Sequence, residues 1–319
     1  MSRSVVSYRI DILKKAKEGA FMGDAKIIFV GNYKGGVGKT TSVLNFAEHF
    51  TEKGKKVLVL DLDPQSSLSE ILVSNNGEQL NTLSSQKTLN YVFDLNISKI
   101  KKYNNLKLKF DDDIIQTYKK KKYDFIASSL FYEGNLGLDE LAVKMEDNIE
   151  YLAILKDFLE SITEKRNYDY IIMDCPPSNN LITRSAFLLS DYYIIPTILD
   201  SVSANGVAHY IKTVNKTYEK YCEETEDKIL TKHYFGNKPQ LIGVFCTFIR
   251  GQVDYSKASE ELKENLKKSC NEDIFFFQEE INNYIDIARS TEVGEASKVR
   301  KDYKKLTKSV LERISEMGE

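Results

Sequence analysis

The sequence has no apolar run of 18 residues, no paired cysteine spacing, no excess of basic charge and no internal repeat. Lacking the first, it offers no segment able to span a bilayer core, and its N-terminal stretch lacks the apolar centre of an export signal. Its four cysteines, Cys175, Cys222, Cys246 and Cys270, show no CxxC pattern. That excludes a disulfide scaffold and points to reduced thiols in a cytoplasmic protein. A formal net charge of -2 and a pI near 6.1 exclude a chain that binds nucleic acid through its overall charge. Any such binding would come from local patches or an assembled state. What is present, 42% hydrophobic and 29% charged residues over a length of 319, fits a globular chain with one substantial core or two modest ones.

The chain is organised around KIIFVGNYKGGVGKTT, residues 26 to 41. Lys26 to Val30 reads as a short buried strand, and the segment with Leu44, Phe46, Ala47 and Phe50 reads as a helix over about 41–51. Between them lies Lys34-Gly35-Gly36-Val37-Gly38-Lys39-Thr40-Thr41. A glycine-rich loop between strand and helix can curl its N–H groups around phosphate oxygens, and the helix aims its positive end at the same anion. In such a loop Lys39 neutralises the β- and γ-phosphates of a nucleoside triphosphate, and the Thr40 hydroxyl ligates Mg²⁺. The loop departs from the common pattern twice: Tyr33 stands where that pattern has glycine, and Lys34 adds a second lysine.

Short strands alternate with helices along the rest of the chain. Val57 to Leu60 leads into Asp61-Leu62-Asp63-Pro64-Gln65, and Tyr170 to Met173 leads into Asp174, Pro176 and Pro177. Further strands are expected at 123–127, 192–196 and 241–248, an edge strand at 273–277, and helices at 149–162, 181–189, 203–218 and 255–268. A closing helix follows from Val299, Tyr303, Leu306, Val310 and Ile314. Residues 130–148, 222–238 and 286–298 read as loops. Strands apolar on both faces predict an α/β fold, a mostly parallel sheet covered by helices on both faces. We expect one ATPase domain over 24–319, preceded by a helical appendage over 1–23. The phosphate site falls at the carboxyl ends of the strands, where Asp61, Asp63 and Asp174 also end up. Mg²⁺ keeps several waters and few protein ligands, so Asp174 suits its outer shell. Asp61 and Asp63, two apart on an extended segment, point to opposite sides unless the chain turns at Pro64. Asp61 as a turn or helix-capping acid remains the alternative to a metal role.

KGGVGKTT resembles the deviant phosphate loop of the ParA/MinD class of ATPases; DLDPQ and YDYIIMDCPPS resemble two further hallmarks of the ParA group. The resemblance covers about residues 25–315 and is strongest up to 80 and around 168–180. It implies that Lys34 is the signature lysine, reaching a partner's nucleotide across a dimer interface. It also implies that Asp63 orients the attacking water and that Asp61 sits on the metal side. In this reading Lys34, Lys39 and Asp63 are catalytic, residues 34–41 hold ATP, and Thr40, Asp61 and Asp174 serve Mg²⁺. GVFCTFIR resembles a strand and loop near the adenine, which makes Thr247 and Arg250 candidate nucleotide contacts.

ParA-type members partition plasmids or chromosomes. The resemblance therefore implies a homodimer on ATP binding, a stimulating centromere-binding partner, non-specific DNA binding, no membrane, and a cytoplasmic protein on the nucleoid in its ATP state. Candidate DNA contacts are Arg289, Lys298, Arg300, Lys301, Lys304, Lys305 and Lys308, with a solvated helix face as the ordinary alternative. A membrane positioner of MinD type is disfavoured by the acidic ending ERISEMGE, and an iron–sulfur relative by the absence of paired cysteines. A synthetase relative shares the loop but is disfavoured by DLDPQ. A MinD-like positioning ATPase for another cellular cargo, or a regulatory ATP-binding module with little turnover, remains open.

Overall fold

The computed structural model describes residues 25–318 apart from 103–105, 107, 164–165, 201–202, 250–255, 271–272 and 283–296. The expected appendage at 1–23 lies outside the described residues. In chain order the described strands and α-helices are β1 (Lys26–Val30), α1 (Lys39–Glu52), β2 (Val57–Asp61), α2 (Ser67–Asn75), α3 (Leu89–Lys102), β3 (Gln116–Tyr118), β4 (Tyr123–Ile126), α4 (Leu138–Val143), α5 (Ile149–Leu152), α6 (Ile154–Thr163), β5 (Tyr170–Asp174), α7 (Leu181–Leu188), β6 (Tyr192–Ile198), α8 (Ser203–Tyr218), α9 (Lys228–Phe235), β7 (Gln240–Thr247), α10 (Ser256–Cys270) and α11 (Ser297–Gly318).

The seven strands form one sheet in the order β3-β4-β2-β5-β1-β6-β7. All pairings are parallel except that of β3 with β4. Alternation along β1 explains the two layers of core. Ile27 and Phe29 pack toward α3, α6 and α8, and Ile28 and Val30 pack toward α1, α2 and α11. Phe29 is fully buried, so Phe29→Ala would cost about 3–5 kcal/mol. Pro196 sits inside β6 at no cost on the β1 side, because β1 pairs only with Tyr192 to Ile194.

The predicted α/β class holds, and the differences are local. Residues 116–118 form an antiparallel edge strand, too short for any periodicity to reveal. The segment read as one helix at 149–162 breaks at Ala153 into α5 and α6. Residues 130–148 contain α4, and 222–238 contain α9, which buries Thr231, Tyr234 and Phe235 on one side. The edge strand expected at 273–277 reduces to a single parallel bridge, Val244 to Phe276. No helix among the described residues is long and apolar enough to cross a membrane.

Candidate active site

Register brings three strand ends to one level: Val30 lies opposite Asp174, and Asp174 lies opposite Asp61. The loop 31–38 leaves β1 at that level and enters α1 at Lys39. Gly36 (φ 70°) and Gly38 (φ 81°) adopt the left-handed conformation that the tight curl requires, at little cost for glycine. Gly38 caps α1 without a side chain, leaving the first-turn N–H groups of Lys39, Thr40 and Thr41 without intrahelical acceptors. Val37 is fully buried beneath the loop, whereas Gly35 and Gly36 are exposed.

Lys39 is buried, and its Nζ donates to the Lys34 carbonyl at 3.3 Å. Burial lowers its pKa, while Asp174 and Asp63 oppose that shift. The Lys34 N–H donates to Asn32 Oδ1 at 2.9 Å, and Asn32 Nδ2 donates to the Pro196 carbonyl at 2.8 Å. Tyr33 packs edge-on to Tyr210 of α8, with ring centroids 4.8 Å apart. The absent glycine is thus replaced by an aromatic anchor on a neighbouring helix. The Lys34 ammonium is ion-paired with Asp200, in the loop after β6.

Asp61 and Asp174 are each 1% exposed, yet their surroundings differ. Asp61 Oδ1 accepts from the Asp63 N–H at 3.1 Å. Its Oδ2 accepts from the Ser69 N–H at 2.8 Å and the Ser69 hydroxyl at 2.6 Å. Both oxygens are therefore committed to the protein. Burial still raises its pKa to about 6 against those hydrogen bonds. In this geometry Asp61, expected on the metal side or as a turn or helix-capping acid, caps α2 and holds the Asp63 turn. Among the described residues neither Asp174 oxygen receives a hydrogen bond of good geometry, although the Thr40 hydroxyl lies near enough to act on its titration. Burial and then the Asp61 charge push it well above the usual carboxylate range, while the Thr40 hydroxyl and Lys39 act the other way. An orphaned buried carboxylate beside Thr40 and a phosphate loop fits a hydrated divalent cation, whose waters would supply the missing donors.

Asp63 is half-buried, and its Oδ1 accepts from the Gln65 N–H at 2.9 Å. Ser66, at φ 53°, turns the chain there, and the Ser128 hydroxyl donates to Ser66 Oγ at 3.0 Å. Thr247, the expected nucleotide contact, lies beneath the loop. Its side chain is 2% exposed, and its hydroxyl lies 3.0 Å from both the Val37 and Thr197 carbonyls, as a strut under the loop. The neighbouring Phe248, at φ 58°, lays its ring against Gly38, where a Cβ would meet it at 3.6 Å. An uncommon backbone conformation in a bulky residue marked this contact, and no motif did. Arg250 and Arg289 lie outside the described residues, as do the side chains of Lys298 and Arg300. Lys301, Lys304, Lys305 and Lys308 are exposed on α11.

Residues 25–227, more than half of the chain, match the AAA domain family designated AAA_31. The chain belongs to this family. Its relatives align it with the ParA-type ATPases that the loop motif resembles. It is 31% identical over 193 residues to the sporulation initiation inhibitor protein Soj of Bacillus subtilis, covering 59% of this chain and 64% of that one. It is 27% identical over 252 residues to the chromosome-partitioning ATPase Soj of Treponema pallidum, covering 73% and 85%. The chain spans 54% to 64% of the length of the first curated relatives it matches. Among solved structures, an ATP complex of a Cyanothece McdA variant superposes with a TM-score of 0.65 at 20% identity, covering 92% of this chain and 97% of that one. Cobyrinic acid a,c-diamide synthase from Mycobacterium smegmatis, bound to an ATP analogue and magnesium, superposes with a TM-score of 0.62 at 18% identity, covering 91% and 96%. At these identities the structures speak for the fold.

Proposed function

We propose that the chain is a Mg²⁺-dependent ATPase that acts as a dimeric switch in plasmid or chromosome partition. ATP and water become ADP and phosphate. The reading rests on the buried, unpartnered Asp174 carboxylate beside a phosphate loop that carries Lys39 and Thr40. Thr40 and Asp174 hold the hydrated Mg²⁺, which supplies charge neutralisation on the phosphates. Lys39 pairs with the β- and γ-phosphates. Asp63 accepts a proton from the attacking water and orients it, and Asp61 keeps Asp63 in place through the 3.1 Å bond to its N–H.

Lys34 acts in trans in this reading. Support comes from the exposure of Gly35 and Gly36 beside it, which opens the loop edge to a second copy. A cation supplied by the partner to a transferring phosphoryl group ties hydrolysis to dimerisation. The exposed lysines of α11 face DNA phosphates non-specifically. They connect to the nucleotide site through Tyr303, whose Oη lies 2.9 Å from Ser42 Oγ and whose ring packs edge-on against Phe46 of α1. A centromere-binding partner stimulates turnover, and the protein works in the cytoplasm on the nucleoid. Retention on non-specific duplex DNA, with and without Mg·ATP and across a salt series, tests the reading. ATP-dependent retention that falls steeply with salt is expected, and no retention at low salt overturns it. The second reading, a regulatory module with low turnover, is favoured by the capture of Lys34 by Asp200 within one chain. Partner-stimulated turnover separates the two.

A further inference from the structure

We propose that Asp200 is a positioning residue that parks Lys34 in the single chain and releases it when a second copy presents nucleotide. The inference rests on the trans role of Lys34 argued above. Its geometric basis is independent of that role.

Asp200 uses its two oxygens for different tasks. Oδ1 accepts from the Ser203 N–H at 2.9 Å and the Ser203 hydroxyl at 2.8 Å, which fixes the carboxylate at the start of α8. Oδ2 receives the Lys34 ammonium. On the other side, the Lys34 backbone is held by Asn32 and by Lys39 Nζ, and Tyr33 before it is pinned on α8. Backbone and acceptor are both fixed, so the flexible four-carbon stem of Lys34 is the part free to swing. Parking has a clear electrostatic reason. Lys39 Nζ sits at the Lys34 carbonyl, and Asp200 balances the Lys34 ammonium with a charge of opposite sign beside the same loop. The two paired side chains are 34% and 37% exposed, so the pair is weak enough to exchange. The terminal phosphate of a triphosphate carries more negative charge than one carboxylate and outcompetes it.

The test uses Asp200→Asn, which keeps an acceptor for Ser203 but removes the charge, and Asp200→Glu, which restores it. In the nucleotide-free protein, amine acylation of Lys34 followed by mass spectrometry should run about two- to five-fold faster in Asp200→Asn and return toward the parent rate in Asp200→Glu. With Mg·ATP, the protein concentration at half-dimerisation should fall by a similar factor of about two to five in Asp200→Asn. Equal acylation of Lys34 in the parent and Asp200→Asn overturns the proposal, as does a dimerisation midpoint that rises. A parent protein that stays monomeric with Mg·ATP contradicts the trans role itself. That result is read without any variant, so the two failures are distinguishable.

Discussion

The ends of β2 and β5 present the same local signal, an apolar strand that stops at an aspartate, and the two aspartates face each other in register. Both are buried to the same degree. Asp61 is saturated by the protein, with Asp63 and Ser69 filling its oxygens. Asp174, among the described residues, receives no hydrogen bond of good geometry, only the nearby Thr40 hydroxyl. The difference assigns their work. A carboxylate whose lone pairs are filled holds a turn and caps a helix, whereas one with unfilled lone pairs at a phosphate loop suits a hydrated cation that brings its own donors. Depth in the fold and position on the strand do not separate the two; hydrogen-bond saturation does.

The widest separation between them is expected in turnover. Asp174→Ala should lower Mg·ATP hydrolysis by at least about 100-fold, measured as phosphate release. Asp63→Ala should lose turnover to a similar extent while ATP still binds; normal hydrolysis in that variant would remove Asp63 from the water-orienting role. In folding stability the order reverses. Asp61→Ala strands the Asp63 and Ser69 donors and should cost about 2–4 kcal/mol in urea denaturation. Asp174→Ala in the nucleotide-free protein removes a buried carboxyl that burial disfavours in its charged form and should cost less than Asp61→Ala, about 0–1 kcal/mol. Equal losses in the two variants would erase the distinction.

A pH series sharpens it further. The folded value of Asp61 is about 6, above that of an ordinary aspartate, so between about pH 4 and 6 the folded chain keeps a proton that the unfolded chain has released. Stability from this group is full below pH 4 and declines as pH rises through 6, by at most about 3 kcal/mol. Asp61→Asn should flatten that slope in thermal unfolding measured across the window, and an unchanged slope would place the buried charge elsewhere. The smallest effect belongs to the link behind the site. Tyr303→Phe removes the contact with Ser42 and should cost about 1 kcal/mol, while weakening the coupling between ATP and DNA retention.

Much of this site was legible in the sequence because its parts are local. The loop from Lys34 to Thr41 needs only its own glycines and the flanking strand and helix, and Asp61 and Asp174 need only their strands. The roles were less legible because they depend on distant partners. Ser69, eight residues from Asp61, decides what Asp61 does, and only the chain reversal after Pro64 brings it there. Asp200 lies 166 residues from Lys34 and carries no motif. Thr247 is a candidate nucleotide contact only through the resemblance of GVFCTFIR to a strand and loop near the adenine; the sequence does not show that its hydroxyl sits under the loop or that Phe248 faces Gly38. In the fold, β3 and α9 are not legible because three residues and an eight-residue helix set in a charged stretch carry too little periodicity.

Of the two aspartates, Asp174 is proposed to serve Mg²⁺ and Asp61 to serve the fold. Thermal unfolding with ATP in excess Mg²⁺, against ATP with EDTA, tests it in the parent, Asp61→Asn and Asp174→Ala. Mg²⁺ should add several degrees of stabilisation in the parent and in Asp61→Asn, about 2–4 °C per kcal/mol of binding linkage, and none in Asp174→Ala. A full Mg²⁺ increment in Asp174→Ala, or its loss in Asp61→Asn alone, would contradict it.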